Sequence, residues 1–365
     1  MSVHRGFPAM NAITNESART VQMSIKFRII GWAALLLGLM PLASSCSQDT
    51  DQSAEGKSPL QLGACITRAE GDAVDTQTPI TFFLTHRTTA ERRLFTYDAE
   101  RAQWSSNALV EYGVSYHLFG FTPSQSAVTV AIQPMNGDYA YGAELTFSGL
   151  PVMPTTDVCF VTAVRGGSDV TSAHDFTEWN YQYESQSEEE MQNVNLLFDH
   201  LYANLNLLFK TNSTNTAMRS IRLKKVVLAT AETALVSATV LQPEGTPAIV
   251  DFQPMGTGSA ECTLLDNPQG IPLNSVTPVA LSTFIAPGTT GLTLTCTYDV
   301  FNEAGHIVRK DCTTQNALSE DRTSFEQGYR TDLALTVTPT YLYVLSDEDA
   351  PELELTIDEI GRAHV

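Results

Sequence analysis

The chain has 365 residues, with 21 Lys and Arg against 41 Asp and Glu, a formal net charge of −20. A surface this acidic repels phosphate backbones, which argues against a nucleic-acid partner. The length exceeds what one hydrophobic core usually serves, so two domains are expected.

In chain order, the first feature is Lys26-Phe27-Arg28, a run of fourteen mostly apolar residues from Ile29 to Leu42, then Ala43-Ser44-Ser45-Cys46. The basic pair, the apolar run too short for a comfortable span, and the small residues before a cysteine read as a lipoprotein signal. Cleavage before Cys46 would leave that cysteine as the mature N-terminus. Diacylation there would anchor the chain to the outer membrane without a transmembrane helix. Met23 lies close to the apolar run and is the better start, so residues 1–22 read as upstream translation. Residues 1–45 carry four Lys or Arg and one Glu, leaving 17 basic against 40 acidic residues in the remainder.

Residues 46–60 are mostly small and polar and read as a flexible tether. Beyond them come short alternating runs separated by turn residues, with little helical periodicity. Strands are expected at Ile80–Thr85, Arg93–Tyr97, Ser115–Phe121, Ala127–Gln133, Glu144–Phe147 and Val158–Ala163. Residues 166–192 read as a long polar insertion with nothing to bury, ending in an acidic run to Glu190. The stretch Leu196–Lys210, in which Leu201, Ala203, Leu205, Leu207 and Phe209 fall on one face at period two, reads as one long half-buried strand, with a domain boundary just after it at residue 210. The second half repeats the pattern over Ser220–Ala229, Leu235–Leu241, Ala248–Phe252, Glu261–Leu265, Val276–Ile285, Leu292–Phe301, His306–Cys312 and Arg330–Val337. The class is all-β, of sandwich or barrel type. The expected units are 61–210 and 211–345, followed by a tail over 346–365.

With Cys46 spent on lipid, Cys65, Cys159, Cys262, Cys296 and Cys312 remain. An odd count without C-x-x-C argues against a zinc site and a full disulfide framework. A three-residue hairpin loop with Gly305 left-handed would pair Asn302 with His306. That register sets Cys296 opposite Cys312, making a cross-strand disulfide the candidate and buried free thiols the alternative.

Catalytic motifs are absent: no H-E-x-x-H, G-x-S-x-G, phosphate-binding loop or dinucleotide fingerprint occurs. His86, His117, His174, His200 and His306 show no metal-ligand spacing among themselves. His200 opens the long strand and reads first as a histidine satisfying backbone groups, with base or ligand as the alternative. No catalytic residue, metal or cofactor is expected. Trp104 and Trp179 are too few for a carbohydrate-stacking platform.

Five segments together resemble the fimbrillin family, the subunits of Bacteroidales-type (type V) pili. They are the lipoprotein signal, Ile66–Asp72, Ser115–Pro123, Phe147–Pro151 with Asp157–Phe160, and Leu196-Leu-Phe-Asp-His200-Leu-Tyr-Ala-Asn-Leu205. The last is similar to the F-x-H-x-L-A-x-L stretch that closes the family's first domain, departing from it at Tyr202-Ala203-Asn204. The resemblance spans roughly residues 60–340. It implies two tandem β-sandwich (transthyretin-like, Greek-key) domains without catalysis, carried to the cell surface as a lipoprotein. It further implies proteolytic trimming at Arg68, with Lys57 as the alternative, and a groove filled by a donor strand from a neighbouring pilus subunit. A glycan or host-protein receptor bound through loops such as 166–192 is the second reading.

Glu359–Val365 is what a common sequencing-adapter string encodes. The natural chain is therefore expected to continue past Asp358, with Leu342–Ile357 starting a further element.

Overall fold

Strand β1 (Lys57–Thr67) is the first described strand, and its opening residues Lys57–Leu60 fall in the stretch read from sequence as tether. The computed structural model describes residues 56–68, 78–123, 128–185, 192–212, 219–318, 325–338 and 354–364. Cys46 with its signal, and the acidic run Glu188–Glu190, lie outside these described residues.

β2 (Ile80–His86) and β3 (Thr89–Asp98) form a hairpin closed by a two-residue loop at which Arg87 has φ 51°. β4 (Gln103–Ser105) and β5 (Leu109–Glu111) are short, and β6 (Ser115–Thr122) is long. β7 (Thr129–Pro134) and β8 (Gly142–Pro151) follow, linked through two single 3-10 turns. Then come β9 (Cys159–Gly166), β10 (Gln182–Glu184), β11 (Gln192–His200) and β12 (Ala203–Thr211). β13 (Arg219–Thr230), β14 (Leu235–Pro243), β15 (Ile249–Pro254), β16 (Ala260–Pro272) and β17 (Val279–Ile285) continue the pattern. β18 (Leu292–Asn302), β19 (Ile307–Ala317), β20 (Tyr329–Thr338) and β21 (Glu354–His364) complete it. The fold is all-β, of the sandwich type that alternation at short spacing specifies.

A nine-stranded sheet runs β4-β3-β2-β6-β9-β11-β1-β5, with β10 added to β6. Three four-stranded sheets run β17-β12-β20-β21, β16-β13-β18-β19 and β15-β14-β8-β7. The large sheet is covered on both faces. In β2, Phe82 and Leu84 enter a cluster with Leu60, Leu62, Phe95 and Val194, while Phe83 joins Phe119 and Phe121 in the larger core shared with the four-stranded sheets. This explains why Ile80–Thr85 is buried at every position instead of alternating.

Three sequence expectations change. The long strand is two strands: β11 ends at His200 and β12 begins at Ala203. The chain bends at Leu201-Tyr202, where Leu201 N–H donates to Val158 O at 2.7 Å and the Tyr202 hydroxyl donates to Pro151 O at 2.8 Å. β12 then pairs with β17 and β20, and β8 pairs with β14, so ladders join segments on both sides of residue 210.

The described part of the expected insertion, residues 166–185, is not a polar loop with nothing to bury. Phe176, Tyr181 and Tyr183 are all buried. Tyr181 sits 4.9 Å from the Phe119 ring, its carbonyl accepting from Leu118 N–H and its own N–H donating to Glu244. Three aromatic side chains scattered among polar ones anchor the described part of this segment although its average composition is hydrophilic.

The Cys296–Cys312 pairing is the third correction. The Asn302–His306 loop forms as expected, with Gly305 at φ 76° and Asn302 N–H donating to His306 O at 3.0 Å. Irregularities then displace the ladder near Val300, and Asp311 takes φ 53°. Cys312 therefore faces Tyr298, and Cys296 faces Thr314. Among the described residues both are free thiols. A β-bulge shifts every partner beyond it, which a register counted from the turn cannot foresee.

Candidate functional site

β1 is held as an inserted strand. Its Lys57–Pro59 end pairs antiparallel with β5, and Leu60–Thr67 pairs parallel with β11. Leu60 and Leu62 are almost wholly buried in the smaller core. Leu60 N–H donates to Ala108 O at 2.9 Å. A bulge between Leu62 and Cys65 brings Ala64 N–H to the Asn195 Oδ1 at 2.7 Å. Asn195 in turn donates to the carbonyls of Arg165 and Gly167. A Cβ on Gly63 would lie 2.6 Å from that same oxygen, so only glycine lets β1 approach this closely.

The two expected protease sites bracket this strand. Lys57 is exposed at its start and pairs with Glu111 at 2.8 Å. The hydrogen bond to Glu111 raises its pKa above the usual lysine value.

Arg68 lies at the other end and is largely covered. Its side chain is 19 % exposed. Its N–H donates to Phe198 O at 3.0 Å, and its guanidinium carbon lies 4.1 Å from the Trp179 ring centroid. Glu178 and Asp199 each approach the guanidinium to 3.9 Å. Trp179 itself has φ 60°, an unusual backbone state for a bulky residue. Arg68 also lines a surface cleft of about 460 Å³ with Ala173, His174, Phe176, Glu178 and Leu197.

One residue beyond Asp199 a second cluster begins. His200 Nδ1 lies 2.5 Å from Asp157 Oδ2 and 3.6 Å from Cys159 Sγ. The other Asp157 oxygen accepts from Val158 N–H at 2.7 Å and Tyr202 N–H at 3.2 Å. Burial pushes the Asp157 carboxyl above its usual range, and the His200 contact opposes that shift. Gln327 donates to the His200 carbonyl. His200 is recognisable from sequence as a ligand or base candidate, whereas Asp157 and Cys159 join it only because β9 pairs with β11 so that Cys159 faces His200. Cys296 and Cys312 lie in a different sheet, on β18 and β19. Cys46 lies outside the described residues.

No protein-family model matches the chain, and no curated protein matches it. Solved structures align with the chain at low identity. A fimbrial protein from Bacteroides vulgatus aligns at 12% identity and TM-score 0.43, covering 82% of this chain and 99% of that one. A candidate cell adhesion protein from Bacteroides uniformis aligns at 14% identity and TM-score 0.40, covering 83% and 99%. The fimbrial anchor protein Mfa2 from Porphyromonas gingivalis aligns at 9% identity and TM-score 0.31, covering 82% and 97%.

Proposed function

We propose that the chain is a fimbrial structural subunit or fimbrillin-like cell-adhesion lipoprotein of the outer surface, assembling by protease-triggered donor-strand exchange. The observation that carries this reading is β1. It is an N-terminal strand seated between β5 and β11, with Leu60 and Leu62 in the core and a trypsin-type residue at each end. A cut after Arg68 would separate β1 covalently from the rest of the sheet. Its departure would expose the β11 edge and an apolar groove lined by residues such as Phe82, Val110 and Val194, a surface suited to an extended segment from a second subunit. In this reading the lipid on Cys46 delivers a closed precursor, and other pilus subunits are the partners.

Limited trypsin digestion of the purified chain tests it. Cleavage at Arg68 followed by a ladder of higher oligomers is the expected result. A stable monomer after complete cleavage rejects assembly by strand exchange and leaves the non-polymerising surface lipoprotein as the better description.

A further inference from the structure

We propose that Asp157, Cys159 and His200 form a binding site for a thiophilic divalent cation, with Zn²⁺ the best match. The donor atoms Asp157 Oδ2, Cys159 Sγ and His200 Nδ1 all lie within 4.8 Å of one another. Two of the residues are buried and the third is half-buried.

The arrangement is poorly suited to a nucleophilic relay. A Cys-His-Asp relay needs the thiol on one imidazole nitrogen and the carboxylate on the other. Here both approach the same Nδ1, at 3.6 and 2.5 Å. One ring nitrogen carries either one proton or one lone pair, so a single proton cannot serve both neighbours fully. A cation at the point where the three donors converge satisfies all of them at once.

Distances and charge support the same occupant. Tetrahedral zinc with ordinary Zn–N and Zn–S bonds separates those two ligand atoms by about 3.5 Å. The observed Nδ1–Sγ separation is 3.6 Å. The corresponding N–O separation is about 3.3 Å, so the Asp157 carboxylate would retreat by roughly 0.8 Å on binding. Binding releases the thiol proton and the proton shared by His200 and Asp157. Thiolate, carboxylate and neutral imidazole then carry two negative charges against the ion's two positive ones. The assembled site is neutral, which suits its burial. A nitrogen, sulfur and oxygen donor set favours zinc over the hard cations magnesium and calcium.

The ion would join the start of β9 to the end of β11, beside the Leu201-Tyr202 bend. Its role would be to fix that bend, independently of cleavage at Arg68.

The test uses the full purified chain, stripped with chelator and titrated with Co²⁺ as a spectroscopic substitute. The expected signal is a thiolate-to-cobalt charge-transfer band saturating at one equivalent and displaced by Zn²⁺. Cys159→Ser should abolish the band, while Cys312→Ser, which alters a thiol elsewhere, should retain it. Circular dichroism establishes that both variants are folded. Absence of the band in the unaltered chain, its persistence in Cys159→Ser, or its equal loss in Cys312→Ser overturns the proposal.

Discussion

The Arg68 guanidinium lies over the Trp179 indole, its central carbon 4.1 Å from the ring centroid, so the expected cleavage residue is covered by an aromatic lid. A protease must draw an extended segment into its cleft, which requires this contact to open first. Trp179→Ala removes a contact worth about 0.5–2 kcal/mol, corresponding to roughly 2- to 30-fold more open form. Trypsin should cut after Arg68 faster by a factor in that range, read by mass spectrometry of the released N-terminal fragment. An unchanged rate would mean that the lid does not control access.

Gly63→Ala places a methyl group against the Asn195 side chain, 2.6 Å from its Oδ1. Either β1 lifts or Asn195 abandons its contacts with Ala64 and the 165–167 turn. A loss of about 1–3 kcal/mol is expected from denaturant unfolding. Full retention of stability would show that β1 is less firmly seated than its hydrogen bonds imply.

Phe82 stacks on Phe95 at 4.1 Å between ring centroids, and both rings are fully buried. Phe82→Ala leaves a cavity in the core that also takes Leu60 and Leu62 of β1 and should cost about 3–5 kcal/mol. A change below 1 kcal/mol in roughly the same unfolding assay would contradict the packing around this strand.

Asp175 accepts from the N–H groups of Thr171 and Ser172, and these bonds hold its pKa at about 2. The folded value lies below the unfolded one, so charged Asp175 favours the ordered turn. The contribution is fully present above the unfolded value of about 4 and is lost as pH falls through the folded value. Carboxyl chemical shifts should report a midpoint near 2. A midpoint near the ordinary aspartate value would show that the turn does not form in solution.

Cys296 and Cys312 should alkylate independently. Burial pushes the Cys296 thiol up to about 12, and it is only 3% exposed. Cys312 is half-buried on the neighbouring strand. Iodoacetamide should therefore label Cys312 first under native conditions. Joint protection of both thiols until a reductant is added would restore the disulfide.

The all-β class and most strands were legible because one-faced burial imposes period-two alternation, as in Leu205, Leu207 and Phe209 on β12. β1 was not legible: Pro59 and Gly63 look like breakers, although Pro59 pairs with Leu109 of β5 and Gly63 permits close approach to Asn195. Tyr181 was hidden by its polar neighbours. The bulge near Val300 leaves no mark in composition, so the cysteine register could be counted but not corrected. At the candidate site, Lys57 and Arg68 stood out as protease-type residues, but the Trp179 cover depends on a distant loop folding back. Asp157, Cys159 and His200 come together only through the β9–β11 ladder, which local spacing does not encode.

The pairing of β8 with β14 also bears on the order in which the molecule can be built. Leu145 meets Val240, and Gly142 meets Pro243, so β8 lacks one neighbour until the chain has emerged through residue 243. A ladder between such distant segments forms late and leaves an adhesive edge while it waits. Until β14 is available, the free edge of β8 therefore stays open to pairing with other chains. Synthesis from the N-terminus does not let the first half finish alone.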